Sequence, residues 1–523
     1  MTNPTSTSIG RVYLVGAGPG DPKALTLRAA ECLGRSELVL YDYLVNPAVL
    51  EHAPAEAELI CLGHHSSGRG FPQEEVHARM IEAARQGKTV VRLKAGDPCV
   101  FGRCAEEVTA LRAAGIPFEL VPGITAGLAV ADYAEIQVTQ ADRASAVALV
   151  TGHQRRDKEQ PPLDYAALSN FPGTLVFYMA VTSAEQWSLA LLAGGRPPET
   201  PVAIVRRCSW SDQTTLRCTL GTVAEVIARE AVRPPAVIVV GEVAGPSSEP
   251  SWFAARPLYG RRVLVTRPGV VRRTSGARGE WGDGRDALPT EDGLQRRLVE
   301  LGATVLVQPA VMIADPPDWN AVDAALARLE QYDWLVFSSG NGVRYLLDRL
   351  LATSGDVRRL GRVKLAAIGP GTAAELGRYR LRADLVPEEF RAESLAQALS
   401  SQAAGRRFLL ARTNRGRQVL PEQLVAAGGM VEQVVVYSTV EVERPDPAVA
   451  AAMAEGRIDW VTVTSSAIAR SLAALFGEDL RRTCLASISP ITSGVLRELG
   501  HAPAAEAKEY TMAGLVEAIL GAM

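Results

Sequence analysis

The sequence predicts an α/β protein in two halves, each a pair of lobes in which short apolar strands alternate with helices. Three observations carry that expectation. Runs such as Arg11 to Val15, Glu37 to Tyr41 and Thr89 to Leu93 recur between helical stretches, as expected for strands buried on both faces of α/β layers. The pattern breaks once, in the Pro-, Ser- and Gly-rich segment near 246–258, which reads as a linker. Beyond it the chain repeats itself: Asp333 to Ser339 (DWLVFSS) returns as Asp459 to Ser465 (DWVTVTS), and Ile368 to Thr372 (IGPGT) as Ile488 to Thr492 (ISPIT).

In chain order, residues 1–10 read as a disordered tail and 11–245 as the first half. A second run of strands follows there, at Ala146 to Val150, Thr174 to Tyr178, Val202 to Val205 and Ala236 to Val240. The second half covers 259–523 and opens with the strand Arg262 to Thr266; Gly269 to Asp292 reads as an exposed loop inserted after it. The repeat places one lobe at about 260–310 plus 441–523 and the other at about 311–440, with a cleft between them.

A chain of 523 residues, 47% hydrophobic and 22% charged, suits roughly three to four compact units of a soluble protein. The net charge of −3 argues against a nucleic-acid binder working by overall basicity, and no apolar run reaches membrane-spanning length. Seven cysteines without a C-x-x-C pair read as free thiols in a reducing cytoplasm, with neither disulfide framework nor metal site.

The chemistry of the first half concentrates in turns at strand ends. Gly16 to Pro22 (GAGPGDP) is not a dinucleotide fingerprint, because Asp21 stands where a third glycine belongs; alone it is equally a turn reversing a strand. Lys94 to Pro98 (KAGDP), Phe101-Gly102-Arg103 and Val121 to Ala126 (VPGITA) follow at later strand ends, where open α/β sheets bind ligands.

GAGPGD, the strand ending in Tyr41-Asp42, KAGDPCVFGR, VPGIT and the Phe177 to Met179 stretch (FYM), in that order, resemble the tetrapyrrole methylases, with uroporphyrinogen-III C-methyltransferases the nearest match over about 11–245. The resemblance implies a two-lobed, usually dimeric enzyme that binds S-adenosylmethionine between its lobes and methylates uroporphyrinogen III twice, giving precorrin-2. It places Pro19, Ala95, Gly96, Asp97, Val100, Thr125, Ala126, Met179 and Cys208 around the methyl donor, the last through its backbone like Val100. Asp42 is the candidate base or proton relay, or else a turn acid. Arg103 and Glu106 are expected beside the substrate's carboxylates; a structural salt bridge is the other reading of Arg103. Three positions depart from the family pattern. Ala95 replaces a glycine, Cys208 a small residue, and His64 a lysine proposed as a proton donor.

Val263 to Pro268, Phe337 to Val343, Ile368 to Ala373, Val436 to Thr439 and Glu509 to Leu515 resemble uroporphyrinogen-III synthases over about 260–523. That implies closure of hydroxymethylbilane with inversion of ring D, Tyr437 assisting the departing hydroxyl. Ser338, Ser339, Thr372, Thr464 and Ser465 precede helices, where hydroxyls and backbone N–H groups hold either carboxylates or the helix itself. Ser489 stands where the partner copy has glycine. Two other readings remain: a methyltransferase for a later precorrin, or one half kept as a non-catalytic binding module.

Overall fold

The protein is described by a computed structural model covering residues 9–54, 56–63, 71–153, 163–247, 249–270, 293–414 and 418–523. His64, most of the expected tail and most of the Gly- and Arg-rich stretch lie outside those residues.

Among the described residues the strands form three sheets. The first contains β1 (Val12–Gly16), β2 (Leu38–Tyr41), β3 (Glu58–Cys61), β4 (Val90–Lys94) and β5 (Phe118–Val121), in the order β3-β2-β4-β1-β5. All its pairings are parallel. Separate apolar clusters cover its two faces, one around Val15, Val39 and Leu93, the other around Leu14, Leu40 and Met80. Burial from both sides is why these strands read as unbroken apolar runs rather than as alternating ones.

The second sheet holds β6 (Val147–Thr151), β7 (Thr174–Tyr178), β8 (Pro201–Arg206), β9 (Thr214–Thr219) and β10 (Ala236–Val240), in the order β6-β7-β10-β8-β9. Only β6 and β7 are parallel; the other pairings are antiparallel. β9 (TTLRCT) escapes the sequence reading because it is a polar edge strand with no buried position, and only an apolar run announces a strand by composition.

The third sheet runs through the whole second half: β11 (Arg262–Val270), β12 (Thr304–Ala314), β13 (Trp334–Phe337), β14 (Lys364–Ala367), β15 (Arg407–Thr413), β16 (Met430–Glu441), β17 (Trp460–Val463), β18 (Cys484–Ser487) and β19 (Ala505–Glu506). Its order is β14-β13-β15-β16-β12-β11-β17-β18-β19. The repeat is visible as symmetry: β13, β14, β15 and β16 correspond to β17, β18, β11 and β12. The halves join where the ends of β12 and β16 pair antiparallel, Val311–Ala314 against Ser438–Glu441. One ion pair is also duplicated. Asp333, ahead of β13, accepts from the Arg407 N–H and pairs with Arg406 at 2.7 Å. Asp459, ahead of β17, does the same with the Arg262 N–H and with Arg261 at 3.0 Å.

The segment around 251–259 packs against both halves. The Ser251 hydroxyl donates to the Tyr133 carbonyl at 2.9 Å, and the Trp252 indole N–H to the Asp132 carbonyl at 2.7 Å. Leu258 is fully buried in the core beside β11. Among the described residues no helix is long and apolar enough to cross a membrane.

Candidate functional sites in the two halves

β4, β1 and β5 are neighbours, so the turns after their C-terminal ends lie side by side. Gly18 and Gly96 exchange backbone hydrogen bonds at 3.2 and 2.8 Å, both at left-handed φ, +78° and +69°, a region open to glycine at little cost. A Cβ on Gly123 would lie 2.2 Å from the Gly96 carbonyl oxygen, and one on Gly16 would lie 2.6 Å from Gly123 Cα. The three turns therefore meet backbone to backbone, and only glycine permits that approach.

The Asp97 carboxylate accepts from the Cys99 N–H at 2.7 Å and the Gly123 N–H at 3.1 Å. Expected at the methyl donor, it is engaged in holding two turns in register. Ala95, Val100 and Pro19 are half-exposed on these turns, and Thr125, buried, precedes the helix Ala126–Tyr133.

Across from them stands the second sheet. The Tyr178 hydroxyl, at the end of β7, accepts from the Gly127 N–H at 2.8 Å and shares a 2.8 Å hydrogen bond with Thr125 Oγ1. Burial raises the pKa of this phenol. Tyr178 thus ties the two sheets together at the turn cluster; the sequence reading took only its neighbour Met179 from the same motif. Met179 is about half exposed, at 52%. Met179, Phe101, Arg103, Arg207 and Ser209 are five of the eight non-glycine residues with left-handed φ among those described. Such conformations cost about 1–3 kcal/mol each and gather at functional sites. Two of them, Met179 and Phe101, carry large apolar side chains open to solvent.

Cys208 is buried, and desolvation pushes its thiol up to about 12; burial first, then the neighbouring Cys99, does the same for Cys104. Only thiolates react readily. Iodoacetamide between pH 7 and 9 should therefore label the exposed Cys99 and Cys484 well before Cys104 and Cys208, as peptide mass mapping would show; early loss of Cys208 would contradict its burial.

Asp42 follows β2, its side chain about a third exposed, and receives a hydrogen bond from Arg92 Nη2 at 2.5 Å. Arg103 and Glu106, expected to meet substrate carboxylates, pair with each other at 2.9 and 2.6 Å on the exposed rim, and that bond raises the Arg103 pKa. An exposed pair of this kind is worth about 0–1 kcal/mol, so a competing carboxylate opens it cheaply. The sequence reading passed over Arg92, Lys94 and Glu107. The signal was present, since two cations inside the apolar run VVRLK must find a buried partner.

In the second half, Tyr437 follows a register shift in the β15–β16 ladder. It is almost buried, at 6% exposure, and its hydroxyl lies 3.0 Å from Ser339 Oγ. Ser339 also caps the helix Gly340–Ser354 by accepting from the Gly342 N–H at 3.0 Å. Ser465 caps Ser466–Phe476 in the same way, as Ser489 caps Pro490–Glu498. Of the two roles open to Ser339 and Ser465, carboxylate binding and helix capping, both residues perform the second. Thr372 is buried in the first turn of Pro370–Arg378; Ser338 is exposed and Thr464 half-exposed. Tyr437 and Ser339 come together, whereas Thr464 and Ser465 belong to the other lobe. Tyr437→Phe should cost about 1 kcal/mol of stability and lower cyclisation roughly a hundredfold, with methylation of supplied uroporphyrinogen III unaffected. Separate assays of the two activities check this, and full cyclisation by the variant would remove Tyr437 from the chemistry.

Each half of the chain matches a different family of known proteins. The family model for tetrapyrrole (corrin/porphyrin) methylases matches residues 11–224, and that for uroporphyrinogen-III synthase HemD matches 292–517. The chain is 31% identical over 458 residues to the porphyrin biosynthesis protein HemD of Ruminiclostridium josui, covering 87% of each chain. It is 34% identical over 367 residues to the uroporphyrinogen-III C-methyltransferase of Bacillus subtilis, covering 70% of this chain and 71% of that one. Among solved structures, the uroporphyrin-III C-methyltransferase of Thermus thermophilus complexed with S-adenosyl homocysteine is 40% identical, with a TM-score of 0.39, over 45% of this chain and 98% of that one. A tetrapyrrole methylase domain and a uroporphyrinogen-III synthase domain are joined in one polypeptide, and the chain belongs to the family of such porphyrin-biosynthesis fusion enzymes.

Proposed function

We propose that the second half closes hydroxymethylbilane to uroporphyrinogen III with inversion of ring D, and that the first half methylates that product twice to precorrin-2. The observation that carries the methylase reading is the backbone-to-backbone meeting of the Gly18, Gly96 and Gly123 turns opposite the strained Met179 turn. That cradle suits S-adenosylmethionine: small residues admit a nucleoside closely, and exposed Met179 and Phe101 offer it apolar cover. Pro19, Ala95, Gly96, Val100, Thr125, Ala126, Met179 and Cys208 would hold it, Asp97 keeping their turns in place. When bound, it would supply a sulfonium methyl for attack by an electron-rich pyrrole carbon, with neutral S-adenosyl homocysteine as the leaving group.

The remaining work falls to this chain's own side chains. The cradle orients donor against acceptor. Asp42 takes the proton released from the methylated ring. Arg103 exchanges its bond with Glu106 for contacts with the substrate's carboxylate rim, Glu106 standing beside the substrate. In the synthase half, the lobes fold the linear substrate end to end, and Tyr437, oriented by Ser339, donates a hydrogen bond to the departing hydroxyl. Exposed Leu120 on the edge strand β5, with exposed Ile124 and Leu128 in the turn and helix that follow, supports assembly as a homodimer through the methylase half.

The test is incubation of the whole enzyme with hydroxymethylbilane and methyl-labelled S-adenosylmethionine, followed by mass analysis. A type-III macrocycle carrying two labelled methyl groups is expected. Unmethylated product, or methylation only of a later intermediate supplied separately, would overturn the reading.

A further inference from the structure

Behind Asp42 lies a cluster of charges that neither the fold nor the cradle accounts for. Arg92 and Lys94, both on β4, are about 97% buried, and Glu107, on the helix Cys104–Ala113, is fully buried. Glu107 Oε1 accepts from Arg92 Nε at 2.9 Å and from Lys94 Nζ at 2.8 Å. Arg92 Nη1 donates to the Leu93 carbonyl at 3.1 Å and the Leu40 carbonyl at 3.4 Å, and Nη2 to Asp42 at 2.5 Å. Two cations face two carboxylates, and Asp42 is the one member open to the cleft.

Buried ion pairs add little net stability over a well-packed apolar replacement, because desolvation offsets the attraction. Stability is therefore a weak reason for this arrangement. The geometry is specific instead. Every nitrogen of the guanidinium has a partner, and the fork spans the ends of β2 and β4, so the direction of the Asp42 carboxylate is fixed by a planar group that cannot rotate.

We infer that Arg92 is the positioning residue for Asp42, anchored from behind by Glu107, and that it aims the carboxylate at the carbon from which the proton leaves. This rests on the reading of Asp42 as the base. Lysine cannot replace arginine here, since an ammonium has no planar fork. Among the described residues, Asp42 neighbours Tyr43, whose pKa is raised by burial and then by Asp42, and Arg92, behind which stand Glu107 and, bonded to it, Lys94.

The experiment is the rate of methyl transfer to supplied uroporphyrinogen III by the full-length enzyme, with S-adenosyl homocysteine affinity and melting temperature measured alongside. Arg92→Gln leaves Lys94 and Glu107 as a neutral pair and should fold. It should lower kcat at least tenfold with KM for both substrates within about twofold. Arg92→Lys keeps the charge and should not recover the rate, the signature of lost geometry. Lys94→Met, whatever it costs in stability, should leave kcat within about twofold. A wild-type kcat in Arg92→Gln, full rescue by lysine, or an equal loss of kcat in Lys94→Met would each overturn the inference. Wild-type turnover in Asp42→Asn would instead remove the parent reading of the base.

Discussion

Gly123→Ala is expected to abolish methyl transfer and leave cyclisation of hydroxymethylbilane intact. Its Cβ would stand 2.2 Å from the Gly96 carbonyl oxygen and 2.8 Å from Gly16 Cα, and both neighbours are backbone, with no flexible end to swing aside. The backbone of Gly123 is not left-handed, so alanine meets no conformational penalty of its own and the effect isolates the contact. Relief requires the turn after β5 to separate from those after β1 and β4, breaking the Asp97 bond to the Gly123 N–H. Overpacking of this kind costs about 1–3 kcal/mol, too little to unfold a domain with two apolar clusters of its own. Titration with S-adenosyl homocysteine should show at least a hundredfold loss of affinity. Unchanged affinity would mean that the donor does not use these turns.

Phe253→Ala is expected to destabilise the enzyme by about 3–5 kcal/mol, as removal of a fully buried aromatic does, and to split thermal unfolding into two transitions. Phe253 is 1% exposed. Its ring lies edge-on to Tyr133 at 4.9 Å and to Tyr259 at 5.9 Å, with the Arg256 guanidinium 3.7 Å above it. These partners belong to both halves. Tyr133 sits in the methylase domain and donates to Asp21 of the first glycine turn at 3.2 Å. Tyr259 donates to the Gln213 carbonyl, and next to it the Leu258 N–H donates to the Leu301 carbonyl at 2.8 Å. Further contacts cross directly, among them Lys23 with Glu300 at 2.8 Å, the Ser211 hydroxyl with that of Thr304 at 2.6 Å and the Gly260 N–H donating to the Ser211 carbonyl at 3.2 Å; exposed or single, they cannot replace the aromatic cluster. Calorimetry with limited proteolysis between residues 246 and 260 reads both effects. One cooperative transition and unchanged resistance would show that the halves are held elsewhere.

The sequence alone determined what depends on neighbours along the chain. Unbroken apolar runs announced strands covered on both faces. Glycines at Gly18 and Gly96 announced backbone that bends where side chains cannot. The echoed DW strands announced two lobes of one design. Each is local, fixed by the conformational freedom or hydrophobicity of a few consecutive residues. Only the tertiary structure decided which strands became neighbours, and the consequences of that choice were not legible. It set the β4, β1 and β5 turns against one another, made Asp97 a clasp between two of them, and joined the two lobes into one sheet through β12 and β16. It also converted a segment that reads as a linker into a packed strap, because Trp252, Phe253 and Leu258 are too few to form an apolar run of strand or helix period yet find partners far away in sequence. Arg92 shows the limit most clearly. A cation inside an apolar strand told that a buried partner must exist, while its identity, a carboxylate at each end of the guanidinium on two other elements, was set by packing between residues up to 50 positions apart.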